Sequence, residues 1–193
     1  MGWEVKQLSE VATYFIGLTY KPSDVAESGT IVLRSGNIQN GELDFTDIVR
    51  VGTEVREQLI VHENDILMCS RNGSSALVGK VALIPQTTEK MTFGAFMTII
   101  RSNYYDYLLT YFKMDAFRKQ IATSKTATIN QITKAMLDKV LVPIPPIELQ
   151  EQFAAFVHQS DKSKFAALRC SNLNLSSGLE IAARSKGNHC RPS

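Results

Sequence analysis

The chain has 193 residues, enough for one full domain and an appendage, and at 44% hydrophobic and 21% charged it has the composition of an ordinary globular protein. No run of about 18 apolar residues occurs, which argues against a membrane-spanning helix. The net charge of +2 hides an asymmetry: residues 1–100 carry 8 Lys/Arg against 12 Asp/Glu, and residues 101–193 carry 13 against 7. The basic second half suits nucleic acid or an acidic protein partner.

The opening MGWEVKQLSEV lacks the basic start and apolar stretch of a signal peptide, so a cytoplasmic location is expected. Trp3–Leu8 alternates apolar and polar residues and predicts a short strand. Ser9-Glu10-Val11-Ala12 offers a cap and a helical turn. Loop chemistry follows at Tyr20–Asp24 and Glu27–Gly29. Thr30–Arg34 is β-branched and predicts a strand, which runs through Ser35-Gly36-Asn37-Ile38 to Asn40-Gly41, a hairpin-turn signal. Leu43–Phe45 and Ile48–Val51 read as further strand. Glu63-Asn64-Asp65 predicts a turn before a buried strand at Ile66–Cys69. After the polar loop Ser70–Ser75, another strand runs from Gly79 and stops at Pro85, and Met97–Arg101 is one more.

Beyond Asn103 the period changes. Tyr107, Leu108, Tyr111, Phe112, Met114, Ala116, Phe117 and Ile121 recur at spacings of three and four, which predicts one amphipathic helix packed on the sheet. A Ser/Thr-rich stretch, Ala122–Thr128, interrupts it. Ile129, Ile132, Met136, Leu137 and Val140 suggest a second short helix or turn, then strand-like Val140–Val142. Pro143, Pro145 and Pro146 follow, and residues ahead of proline are pushed out of the helical region, so an extended, stiff strap is expected. Behind it Leu149, Phe153, Phe156, Val157, Phe165 and Leu168 recur at helical spacing and would need a partner surface. The expected organisation is a β-rich α+β domain over residues 1–145, a helix over 146–180, and a disordered tail over 181–193.

The motifs argue against an enzyme mainly by elimination. Gly73 to Gly79-Lys80 resembles a phosphate-binding loop but has five residues between its glycines where four are needed, and Val81 replaces the magnesium-binding hydroxyl. His62, His158 and His189 stand alone, and Cys69, Cys170 and Cys190 lack the spacing of a zinc site or a disulfide framework. No Gly-x-Ser-x-Gly elbow occurs. Three polar, partly basic loops remain. Ser70, Arg71, Asn72 and Ser74, with Lys80 behind them, combine a bidentate cation, an amide and hydroxyls, which suit base edges and phosphates. Arg34, Ser35 and Asn37 form a similar set, and so do Lys125, Thr126, Thr128 and Asn130. Each alone also reads as an ordinary solvated loop.

Taken in order, these stretches resemble the specificity subunit of type I restriction–modification systems. The matching blocks are Trp3 to Val11, Leu33-Arg34-Ser35-Gly36-Asn37-Ile38, and Asn64-Asp65-Ile66-Leu67 with Ser70–Ser74 and Gly79–Ala82. The last block is Ile132 through Val142-Pro143-Ile144-Pro145-Pro146-Ile147-Glu148 to Gln152. The resemblance implies a mixed α/β target recognition domain that reads half of a bipartite double-stranded DNA site, and a spacer helix. It implies no catalysis by this chain and no cofactor in it. S-adenosylmethionine would be bound by partner methyltransferase subunits, and a nuclease (restriction) subunit would join them. With one domain and one helix, such a chain would self-associate through the helix and read a symmetric site. A protein-assembly module without DNA, and an inactive copy of a specificity subunit, are the alternatives.

Overall fold

In the computed structural model of the chain the described residues are 3–123, 130–146, 148–150, 152, 156 and 159. The chain divides into two compact units, Met1–Pro145 and Pro146–Ser193.

The first unit is mixed α+β. In chain order it comprises β1 (Glu4–Gln7), α1 (Leu8–Val11), β2 (Thr13–Ile16), β3 (Val25–Ala26), β4 (Thr30–Leu33), β5 (Ile38–Gln39), β6 (Glu42–Leu43), β7 (Val49–Val51) and β8 (Ile66–Cys69). It continues with β9 (Val81–Leu83), β10 (Met91–Phe93), β11 (Met97–Arg101), α2 (Tyr105–Lys113), α3 (Asp115–Thr123), α4 (Lys134–Leu137) and β12 (Leu141–Ile144). One sheet runs β2-β11-β8-β9, all antiparallel. A second runs β10-β4-β7-β3, with β10 parallel to β4. A small hairpin, β5–β6, and a ribbon, β1–β12, complete the set.

The two four-stranded sheets share one apolar core. Ile31 and Leu33 of β4, Leu67 and Cys69 of β8, Met91 and Phe93 of β10, and Met97 and Ile99 of β11 belong to a single buried cluster. All four residues of β8 are buried, which is why Ile66–Cys69 reads as an unbroken apolar run rather than an alternating one. Large side chains such as Phe93 are fully buried, each contributing roughly 1.5–3 kcal/mol. Asn40 and Gly41 both have positive φ, 54° and 83°, the conformation that a two-residue hairpin turn with the correct twist demands.

Three strands were not signalled by the sequence: β2, β10 and the two-residue β3, which falls between two expected loops. β2 exposes both of its ends, so it lacks a clean alternation, and β10 is three residues whose parallel partner lies sixty positions back, Met91 facing Ile31. The single helix expected over 107–121 is two helices. Met114 adopts extended backbone (ψ 152°) and its N–H bonds the Tyr111 carbonyl, ending α2. The ring of Phe117 then returns against Phe112, centroids 4.8 Å apart, so an aromatic cluster fills the corner between α2 and α3.

The strand expected over Val140–Val142 runs on through the first proline of the strap: β12 is Leu141–Ile144, antiparallel to β1 with Pro143 opposite Val5. Leu141 directs its N–H to the Gln120 side chain, and its carbonyl accepts from the Tyr111 hydroxyl. The Pro143 carbonyl accepts from the Tyr107 hydroxyl at 2.5 Å. Residues 141 and 143 therefore turn their backbone groups away from β1, on the side where a missing N–H costs no ladder bond.

In the second unit residues 148–150, 152, 156 and 159 are helical. The N–H groups of Leu149 and Gln150 both bond the Pro146 carbonyl. Leu149 and Phe156 are exposed. Phe153, Val157, Phe165 and Leu168, and the tail 181–193, lie outside the described residues.

Candidate nucleic-acid interface

Segments far apart in sequence meet around Phe96. This residue stands in the tight turn Gly94–Phe96, which carries the chain from β10 in one sheet to β11 in the other; the Met97 N–H closes it on the Gly94 carbonyl at 2.8 Å. The turn is seated from both sides. Gly94 N–H bonds the Leu33 carbonyl (2.9 Å), and Leu18 N–H bonds the Phe93 carbonyl (2.7 Å). Gly17 passes so close that a Cβ there would overlap the Gly94 carbonyl oxygen, so only glycine fits.

The Phe96 carbonyl accepts the N–H groups of Ser70 and Arg71, each at 3.0 Å, and the Ser70 hydroxyl at 3.0 Å. Ser70 is buried, and its own carbonyl accepts from Ile132 N–H at 2.7 Å. The Cys69 thiol, pushed up by burial and so held as a neutral SH, donates to the Arg71 carbonyl. Arg71 pairs with Gln131 in an isolated antiparallel bridge. Next to it the Asn72 side chain makes two contacts: its amide donates to the Ser35 hydroxyl (3.1 Å) and its oxygen accepts Ser74 N–H (2.9 Å). The Asn130 amide donates to the Gly73 carbonyl (3.1 Å), and Asn72 N–H bonds the Asn130 carbonyl (3.3 Å). At roughly 1 kcal/mol per bond, this set fixes three loops into one surface.

The predicted site residues thus separate. Ser35, Arg71, Asn72, Ser74 and Asn130 come together. Arg71 is exposed, and its guanidinium carbon lies over the Phe96 ring, 5.7 Å from the centroid. Among the described residues no carboxylate pairs with it, whereas Arg34 is bonded to Asp47 (2.9 Å) and Arg50 to Glu89 (2.7 Å). Lys80 is half-buried at the foot of the same loop, its N–H on the Leu77 carbonyl. Two of the predicted residues are turned inward. Asn37 is 1% exposed: its oxygen accepts Arg34 N–H and its amide donates to the carbonyls of Asp44 and Asp47, so it braces the turn from inside. Ser70 likewise spends its hydroxyl internally. Lys125, Thr126 and Thr128 lie outside the described residues. Sequence reasoning missed Phe96. Gly94, an isolated glycine between apolar runs, marks a break in the strand there but does not say which neighbour turns outward.

A cavity of about 570 Å³ lies elsewhere in this unit, bordered by Glu10, His62, Asp65, Arg101 and Ser102. None of the predicted site residues lines it. No group of three or more His, Cys, Asp or Glu that would hold a metal ion occurs among the described residues, and no helix among them is long and apolar enough to cross a membrane.

Residues 1–172 match the family model for the type I restriction modification DNA specificity domain. The chain belongs to this family. It is 31% identical over 176 residues to the type I restriction enzyme EcoKI specificity subunit of Escherichia coli (strain K12), a match covering 84% of this chain and 38% of that protein. Among solved structures it is similar to a chain from work on complex assembly and conformational transition of the type I R-M system, with a TM-score of 0.69, 21% identity, and 95% of this chain and 44% of that one covered. The HsdS subunit from Thermoanaerobacter tengcongensis is similar with a TM-score of 0.64, 19% identity, and 88% and 40% covered. The specificity domain thus spans about two fifths of the length of the curated relative it matches.

Proposed function

We propose that this chain is a non-catalytic reader of double-stranded DNA sequence for a type I restriction–modification complex. The observation that carries the reading is the surface around Phe96: a cation without a carboxylate partner among the described residues, on a rim of hydroxyls and amides tied together by Asn72 and Asn130. Such a surface offers bidentate donors for a guanine edge and neutral donors for phosphate. The family match supports it over an assembly module without DNA.

In finer terms, residues 1–145 form a target recognition domain that reads one half of a bipartite site, and residues 146–180 form a spacer helix. Methyltransferase subunits dock on the chain and supply the S-adenosylmethionine chemistry, and a restriction subunit joins them. Exposure of Leu149 and Phe156 supports a further element of this reading, packing of the helix on a partner helix, such as that of a second copy.

The test is co-expression with a type I methyltransferase subunit in a host that lacks its own, followed by mapping of methylated positions. The reading predicts methylation at one motif of two separated half-sequences, dependent on this chain. Methylation unchanged when the chain is omitted would contradict it.

A further inference from the structure

An exposed phenylalanine alone means little, since single apolar residues are common on surfaces. Phe96 differs in what it holds. It is 58% exposed while its neighbours Phe93 and Met97 are each 1% exposed, so the turn lifts one aromatic ring out of an otherwise buried segment. The main chain of Phe96 is fixed: its carbonyl grips the backbone of Ser70 and Arg71, and Gly94 and Met97 anchor the turn. Its ring then sits against the head of the same arginine. One residue therefore holds Arg71 at both ends, main chain and guanidinium. A flexible arginine loses much rotamer freedom on binding, and a ring against one side reduces what is left to lose. The N–H donors at the guanidinium edge stay available for a planar acceptor pair.

We propose that Phe96 is a specificity-determining positioning residue: its ring presents the Arg71 guanidinium to one guanine of the target, and without the ring that base pair is no longer discriminated. This rests on the DNA-reading role proposed above. Phe96 acts through Arg71 rather than by reading a base itself.

The full chain is titrated with its preferred duplex and with duplexes substituted at each base pair in turn, at one fixed salt concentration. In the wild type, one guanine should be preferred over its substitutes by about fivefold or more, and Arg71→Ala should erase that preference. Phe96→Leu keeps the apolar bulk without a π face and should erase it at the same base pair, leaving the other positions within about twofold. Phe96→Tyr keeps the ring and should restore it. Full discrimination in Phe96→Leu, or an equal weakening at every position, overturns the inference while leaving DNA reading intact. So does Arg71→Ala that discriminates as the wild type does. A wild-type chain with no preference at any position overturns the DNA-reading role and this inference with it. Circular dichroism checks each variant's fold; should Phe96→Leu not fold, Phe96→Met carries the same two opposed outcomes.

Discussion

Asp65, just ahead of β8, and Arg101, the last residue of β11, form a two-pronged ion pair: Nε donates to Oδ1 and Nη2 to Oδ2, both at 2.7 Å, with Asp65 only 1% exposed. The Asp65 carboxylate raises the Arg101 guanidinium above its ordinary value, so the cation persists at all workable pH. The arginine also lies over the Phe15 ring, 4.9 Å from its centroid. The pair thus ties β11 to the turn before β8 and to β2. Arg101→Ala would leave a buried carboxylate with little beyond the His62 N–H, and should cost on the order of 3 kcal/mol in denaturant unfolding. A loss below about 1 kcal/mol would show the pair to be solvated in solution.

Tyr14 gives a pH prediction. Its hydroxyl is buried without a hydrogen-bond partner, and burial, aided by the charge of Asp138, pushes the phenol well above its ordinary value of 10.0. The folded state therefore keeps the proton longer than the unfolded chain. Below pH 10 the ionisation of Tyr14 costs the fold nothing; as pH rises through and beyond 10 the unfolded chain releases the proton first, and stability falls. Tyr14→Phe should be neutral to about 1 kcal/mol stabilising at pH 7 and should flatten the alkaline fall in Tm. Tyr107 and Tyr111 are raised by burial too, so part of the fall should remain.

Asn37 and Arg71 should behave oppositely although both sit in polar loops. Asn37→Ala leaves three internal bonds unmade, with an expected loss of about 1–3 kcal/mol in unfolding free energy. Any effect on DNA should disappear at a temperature where the variant is folded. An Asn37→Ala protein of wild-type stability but altered sequence preference would return that residue to the reading surface.

Lys80 supplies a contrast of another kind. If it meets phosphate rather than a base, Lys80→Ala should weaken binding evenly across sequences. The slope of log affinity against log salt should then fall by about 1. A salt slope equal to the wild type's would remove Lys80 from the interface.

Where local chemistry decides structure, the sequence was legible. The Asn40-Gly41 turn, the buried strand Ile66–Cys69 and the short helix ahead of β12 follow from residue type alone. Pairings over long separations were not, because they depend on partners rather than on period. β10 exists through Ile31, and β12 continues past Val142 through Pro143 to Ile144 because Tyr107, Tyr111 and Gln120 take up the backbone groups that face away from β1. The site divides in the same way. Arg71 was readable as a cation in a Gly/Asn/Ser loop, but so was Arg34, which is paired with Asp47. The burial of Asn37 and the exposure of Phe96 were not, since an amide looks solvated and an aromatic among apolar residues looks buried until the turn is seen.

The most direct measurement is selection of bound duplexes from a random-sequence library by the full chain and by Arg71→Ala, at one salt concentration, with the enriched sequences read out. The wild type should enrich a single short motif. Arg71→Ala, of unchanged Tm, should enrich the same motif with one base pair relaxed, corresponding to about 1–3 kcal/mol of lost discrimination. No enrichment by the wild type, or an identical motif from both proteins, would contradict sequence reading at this surface.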